Sequence, residues 1–158
     1  MHEKILTAEA LAATLHARRD RGERLVFTNG CFDLLHIGHT RYLQQARSLG
    51  DCLIVGVNSD ASVGAIKPNG RPIVPQAQRA EVLASLACVD HVVIFDEPDP
   101  GALIATIQPD VLVKGGDWPV DRIVGRDIVQ ARGGQVVTIP LVPDVSTTAL
   151  VQRIQKIT

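Results

Sequence analysis

Hydrophobic positions follow two alternating rhythms along the chain. Short apolar runs at 25–27, 53–57, 91–95, 111–113 and 136–139 are rich in Val, Ile and Leu and too short for helices. They read as buried strands. Between them lie stretches with helical spacing: 40–49 closed by Gly50, 75–86, 102–107 stopped by Pro109, 120–132 ending at Gly133 and Gly134, and 146–157. Upstream, Thr7 is placed to cap a helix in which Leu11 and Leu15 recur before Gly22, so 1–22 is expected to be a helical packing element. Strands alternating with helices of this length predict an α/β fold, a Rossmann-like doubly wound five-stranded parallel sheet with helices on both faces. In the common order 3-2-1-4-5 the topological switch falls between strands 1 and 4, and ligands bind beyond the carboxyl ends of the strands there. The loops after Phe27 and Val113 should therefore face each other across a site.

Composition narrows the partners. The chain carries 46% hydrophobic and 21% charged residues, ordinary for a globular domain, and has no repeat or low-complexity linker, so 1–158 is expected to be a single domain. A net charge of −1 provides no basic field for nucleic acid. No apolar run approaches a membrane span and no signal peptide is evident, which predicts a cytoplasmic protein with no membrane partner. Three cysteines without Cys-x-x-Cys spacing fit a reducing compartment. Cys52 and Cys88 sit in apolar stretches and are expected in the core, whereas Cys31 sits in the first strand's loop.

That loop runs from Thr28 through Asn29, Gly30, Cys31, Phe32 and Asp33 to His36-Ile37-Gly38-His39. It has neither a Gly-x-Gly-x-x-Gly turn nor a Gly-Lys-Ser/Thr phosphate loop. It offers instead two imidazoles three residues apart, on one side of a helix start whose N–H groups and dipole favour an anion. Gly38 between them is expected to let a phosphate approach the backbone. Metal ligation is disfavoured, because no third ligand cluster is present and a helix N-terminus repels a cation.

His36-Ile37-Gly38-His39 after Gly30-Cys31-Phe32-Asp33 resembles the signature of the cytidylyltransferase-like nucleotidyltransferase superfamily. Asn58-Ser59-Asp60, Gly70-Arg71-Pro72, Arg79-Ala80-Glu81-Val82-Leu83, the stretch from Asp110 through Lys114-Gly115-Gly116-Asp117, and Ser146-Thr147-Thr148 resemble one branch. That branch comprises the D-glycero-β-D-manno-heptose 1-phosphate adenylyltransferases, which make ADP-heptose for lipopolysaccharide. The resemblance implies His36 and His39 as catalytic, with Thr28, Asn29, Gly30, Cys31, Phe32 and Gly38 lining the nucleotide. Ser146, Thr147 and Thr148 cap a helix and are placed to hold phosphate oxygens. Lys67 and Arg71 lie in a Pro/Gly-bearing loop free to close over a triphosphate, with Lys67 as the closing, catalytic cation. Lys114 is assigned to the nucleotide. Asp117 suits sugar hydroxyls better than phosphate, and Trp118 and Asp33 are placed with it on the sugar-phosphate side, the other reading of Asp33 being a structural one that orients the loop.

Two departures from the relatives matter. The Arg-Thr-x-Gly lead into the last Ser-Thr-Thr is replaced by Leu141 to Val145, which counts against glycerol phosphate as acceptor and leaves a triphosphate contact to Arg71 or Arg79. Trp118 stands where tyrosine is expected. The resemblance implies ATP as nucleotide substrate, Mg²⁺ held mainly through its phosphates, heptose 1-phosphate as acceptor and a homodimer. It also implies a separate heptose kinase and a phosphatase in the pathway, because relatives are often fused to a sugar kinase for which this chain has no room. The alternatives are a cytidylyltransferase acting on a polyol phosphate such as glycerol 3-phosphate, and a nucleotide-sensing module without turnover.

Overall fold

The computed structural model describes residues 2–116 and 118–157. Asp117 lies outside the described residues. The strands β1 (Leu25–Gly30), β2 (Cys52–Asn58), β3 (His91–Phe95), β4 (Val111–Gly115) and β5 (Gln135–Ile139) form one sheet in the order β3-β2-β1-β4-β5, with every neighbour parallel. The expected order is therefore observed. Among the described residues seven α-helices precede, connect and follow the strands: α1 (Ala8–Asp20), α2 (Ile37–Arg47), α3 (Asp60–Ile66), α4 (Gln76–Ser85), α5 (Gly101–Ile107), α6 (Arg126–Ala131) and α7 (Thr147–Gln155).

Strand periodicity sends alternate residues to opposite faces, and both faces are covered. Val26, Leu53, Val55, Val57, Val92, Val111 and Val113 pack with Leu43 of α2 and Leu83 of α4. Leu25, Phe27, Ile54, Val93 and Leu112 pack on the other side with Leu11 and Leu15 of α1, Ile104 of α5 and Val129 of α6. Such two-sided burial is why the strands read as continuous apolar runs. Thr7 Oγ1 accepts from the Ala10 N–H at 3.2 Å as expected of a cap, and α1 lies against α5 and β3.

Three local readings change. Helix α3 occupies a stretch whose sequence reads as loop; Ser59 caps it, accepting from the Ser62 N–H at 3.2 Å, so Lys67 sits at its carboxyl end. The stretch 120–132 is not one helix: a 3₁₀ turn at Val120–Arg122 is separated from α6 by Gly125 at φ +89°, where a Cβ would lie 2.5 Å from Ile104 Cδ1. Glycine is required there on both counts. Helix α2 begins at Ile37, three residues before the expected start, with His36 as its N-cap and His39 in its first turn. Among the described residues no helix is long and apolar enough to cross a membrane.

Candidate active site

The crevice begins where one ladder stops early. β1 pairs with β2 through Gly30 and Val57, and β4 pairs with β5 through Gly115 and Ile139. Between β1 and β4 the register holds only Val26 with Val111 and Phe27 with Leu112. Beyond those pairs the two strands part at their carboxyl ends, at the topological switch, as the strand order requires of a ligand crevice. Two surface hollows of about 330 and 520 Å³ lie elsewhere, lined by Gly101 and 121–128, and by 5–9 with 94–97 and α5; neither contains a histidine.

His36 is the N-cap of α2, in an extended backbone conformation and without a side-chain cap bond. The His39 N–H donates to the His36 carbonyl at 2.9 Å, and the two imidazoles stack with centroids 3.9 Å apart at 26°. A Cβ on Gly38 would come within 2.9 Å of the His36 ring. The glycine thus makes room for an imidazole. Burial pushes both histidines below their ordinary value. His39, with His36 beside it adding to the effect, is lowered to about 4. Both rings are neutral at neutral pH, each with a buried Nδ1 that lacks a hydrogen-bond partner. Buried polar atoms are rarely left so, and here two sit side by side at a helix N-terminus.

A second helix N-terminus meets the first. Ser146 Oγ caps α7 by accepting from the Ala149 N–H at 3.0 Å, and Thr147 Oγ1 donates to the Leu34 carbonyl at 3.2 Å. Val145 approaches Gly38. The Ser146 hydroxyl is therefore engaged in capping α7 and that of Thr147 in fastening it to the loop before α2, while Thr148 is exposed. Two helix starts pointing into one crevice concentrate free N–H groups and positive potential.

Several expected ligand contacts prove to be supports. Thr28 is fully buried with its hydroxyl 2.5 Å from that of Tyr42, so its side chain does not face a nucleotide. Phe32, at φ +48°, is 6% exposed and turns its ring toward His39 at 5.4 Å, so it braces the histidine. Asp33 is buried and accepts from Arg71 Nε at 2.6 Å and from the backbone N–H groups of Ile73 and Val74 at 2.9 and 2.8 Å. Burial alone would raise its pKa, but the Val74 and Ile73 donors and the Arg71 guanidinium outweigh that and hold it below the usual range. A carboxylate so occupied has no capacity left for a sugar. Arg79 is 1% exposed and donates to the carbonyls of Val74 and Cys31 and to the Asp60 carboxylate at 2.8 Å. Its place in the interior corrects the expectation that it reaches a triphosphate.

The accessible cations gather around Cys31. Burial raises that thiol's pKa, against the fields of Lys67, Arg79 and Arg71, and burial lowers that of Lys114. Lys67 is exposed, Arg71 is held by Asp33, and Lys114 Nζ lies 5.8 Å over the ring of the exposed Trp118. Asn29, Gly30 and Cys31 complete the floor, all partly exposed.

The model of the family described as Cytidylyltransferase-like matches residues 27–153. The chain belongs to that family. This cytidylyltransferase-like chain is 55% identical over 152 residues to the "Bifunctional protein HldE" of Geotalea uraniireducens, covering 96% of the chain and 31% of the relative. It is 54% identical over 151 residues to the protein of the same name from Pseudomonas syringae pv. syringae, of which it covers 32%. It thus spans about a third of the length of those relatives. Among solved structures it is similar to the lipopolysaccharide core biosynthesis protein of Thermoplasma volcanium, with a TM-score of 0.61 and 27% identity over 77% of this chain and 98% of that one. A pantoate-β-alanine ligase of Francisella tularensis shares the fold at a TM-score of 0.59 and 15% identity, covering 97% of this chain and 77% of that one.

In this cytidylyltransferase-like chain His36 and His39 stack beside the segment that leads into α7, and Arg71 is tied to Asp33 of the same loop. Sequence reading missed Tyr42, which the crevice is built around. Its signal was present: a tyrosine three residues after His39 shares that histidine's helical face.

Proposed function

We propose that this chain transfers AMP from ATP to D-glycero-β-D-manno-heptose 1-phosphate, giving ADP-heptose and pyrophosphate. The observation that carries the reading is the stacked pair His36 and His39, each with an unpartnered buried nitrogen, at the start of α2 in the β1/β4 crevice. The names of the relatives at about half identity, and the role in lipopolysaccharide core biosynthesis for which the Thermoplasma volcanium protein is named, support the heptose as acceptor.

The acceptor's phosphate oxygen forms a bond to the α-phosphorus while the bond to the β-phosphate oxygen breaks and pyrophosphate leaves. A phosphate monoester has a second pKa near ~6, so the nucleophile is already ionised at neutral pH and needs no general base. The protein's task is to place donors and cations where negative charge moves from nucleophile to leaving group. Neutral His36 and His39 each retain one N–H for the α-phosphate, Lys67 closes over the triphosphate, and Lys114 steadies it from β4. Among the described residues no three His, Cys, Asp or Glu side chains gather as metal ligands, and Asp33 is spent on Arg71 and the 73–74 backbone. That donor set fits a Mg²⁺ carried by phosphate oxygens and water. The acceptor then arrives through a kinase and a phosphatase acting earlier.

A matrix of ATP and CTP against heptose 1-phosphate, glycerol 3-phosphate and other sugar phosphates, read by pyrophosphate release, tests the reading. ATP with the heptose should be the fastest pair. Faster turnover of CTP with glycerol 3-phosphate would replace it with the cytidylyl reading, and ATP binding with no pyrophosphate from any pair would make the chain a sensor.

A further inference from the structure

Tyr42 occupies the gap between the parted strands. Its hydroxyl donates to the Val113 carbonyl at 3.2 Å and lies 2.5 Å from Thr28 Oγ1. With the phenolic proton given to Val113, Thr28 becomes the donor in the shorter bond. Thr28 and Val113 are the residues that follow the last ladder pair, Phe27 with Leu112, on their respective strands. In an uninterrupted parallel ladder the strands would continue to bond to each other there; here a phenol spans them. Burial raises the Tyr42 pKa to about 12, so the group stays a protonated donor at any pH the fold meets. The ring lies against Gly115, where a Cβ would stand 3.5 Å from it.

The same residue belongs to the histidine helix, three positions after His39, while the carbonyl it holds is one residue before Lys114. We propose that Tyr42 is a positioning residue for the transfer reaction, its hydroxyl bridging the parted ends of β1 and β4 and so setting the span from the histidine pair to Lys114. The inference rests on the proposed nucleotidyl transfer. Without the hydroxyl, Val113 and Thr28 each lose a buried partner, and the strand ends either close toward a ladder or admit water. Either change moves Lys114 relative to His39, and misplacement on the order of 1 Å costs about 10²-fold in such reactions.

Tyr42→Phe keeps the ring and removes both bonds. In protein assayed well below its Tm, kcat should fall about ten- to a hundredfold while KM for ATP stays within about threefold. In a Lys114→Ala background the same change should cost less than about threefold, because the lysine it places is gone. A purely structural tyrosine would lower Tm and leave kcat of the folded enzyme within about twofold, or would cost the same in both backgrounds, on the order of simple additivity. Should Tyr42→Phe fail to fold, Thr28→Val, which frees the phenol from β1 alone, should still lower kcat severalfold, and an unchanged kcat would overturn the inference. Acrylamide quenching of the single tryptophan, Trp118, four residues beyond Lys114, provides a readout without substrate. It should change in Tyr42→Phe, and unchanged quenching would overturn the inference by itself. A wild-type protein that transfers nothing would instead overturn the proposed function and leave quenching to decide this one.

Discussion

At the scale of single residues, the proposed transfer turns on two imidazoles whose pKa values burial lowers. Removing one preorganised donor of this kind typically costs on the order of 10²–10³ in kcat. His39→Ala should lose about that much with ATP affinity nearly unchanged, and His39→Asn, which keeps a donor, should retain part. If both variants are equally inactive and exogenous imidazole restores them, proton abstraction is the missing step and the donor role is wrong. The same histidine carries a pH signature. Its folded-state pKa is depressed from 6.5 to about 4, so between those values the unfolded chain binds more protons than the folded one. Its contribution is fully present above pH 6.5 and is lost as pH falls toward 4. Thermal stability should drop between about pH 7 and pH 5, on the order of the histidine's ordinary titration range, and His39→Asn should flatten part of that slope, with His36 and His91, both also lowered, supplying the rest. An identical slope in the variant would contradict the burial of His39. The histidine pair was legible because its spacing alone places both rings on one turn. The supporting roles of Thr28 and Arg79 were not, because a charged or hydroxyl side chain in a loop reads the same whether it meets ligand or its own backbone.

At the scale of elements, the cation-bearing segment after α3 is tied down by two buried anchors, Asp33 and Arg79. Arg79→Ala strips partners from the Val74 and Cys31 carbonyls and from Asp60, and unfolding in urea should show a loss of about 2–4 kcal/mol. A loss below about 0.5 kcal/mol, the range of an ordinary surface substitution, would show that the arginine is not an internal strut. Element boundaries were misread where short-range chemistry outweighs periodicity. Helix α3 is only seven residues long, and its cap Ser59 sits in Asn58-Ser59-Asp60, a run that also reads as a turn. The stretch 120–132 looks continuous in sequence because its apolar residues keep helical spacing, yet Gly125 breaks it to fit under Ile104. The strand cores were legible, since burial on both faces leaves an apolar run in β2, β3 and the first residues of β1 and β4, but β1 runs on through Thr28, Asn29 and Gly30, which read as loop, and β5 is only partly buried.

At the scale of the whole molecule, strand order alone located the opening: with β1 and β4 at the switch, the chain after Phe27 and the chain after Val113 flank it. The early end of the β1/β4 ladder and the tyrosine that bridges it depend on packing between α2, β1 and β4, which no local pattern encodes. The histidine pair lies beside the segment leading into α7 at that opening, and the proposed function places there a polyphosphate whose α-phosphorus is attacked. The most direct test follows the atom itself. The protein is incubated with Mg²⁺, D-glycero-β-D-manno-heptose 1-phosphate and ATP labelled at the α-phosphorus, and the products are separated. Adenylyl transfer predicts that the label appears in ADP-heptose, in amount equal to the unlabelled pyrophosphate released. Label recovered as AMP or ADP, or left in ATP while the heptose phosphate is consumed, would contradict it.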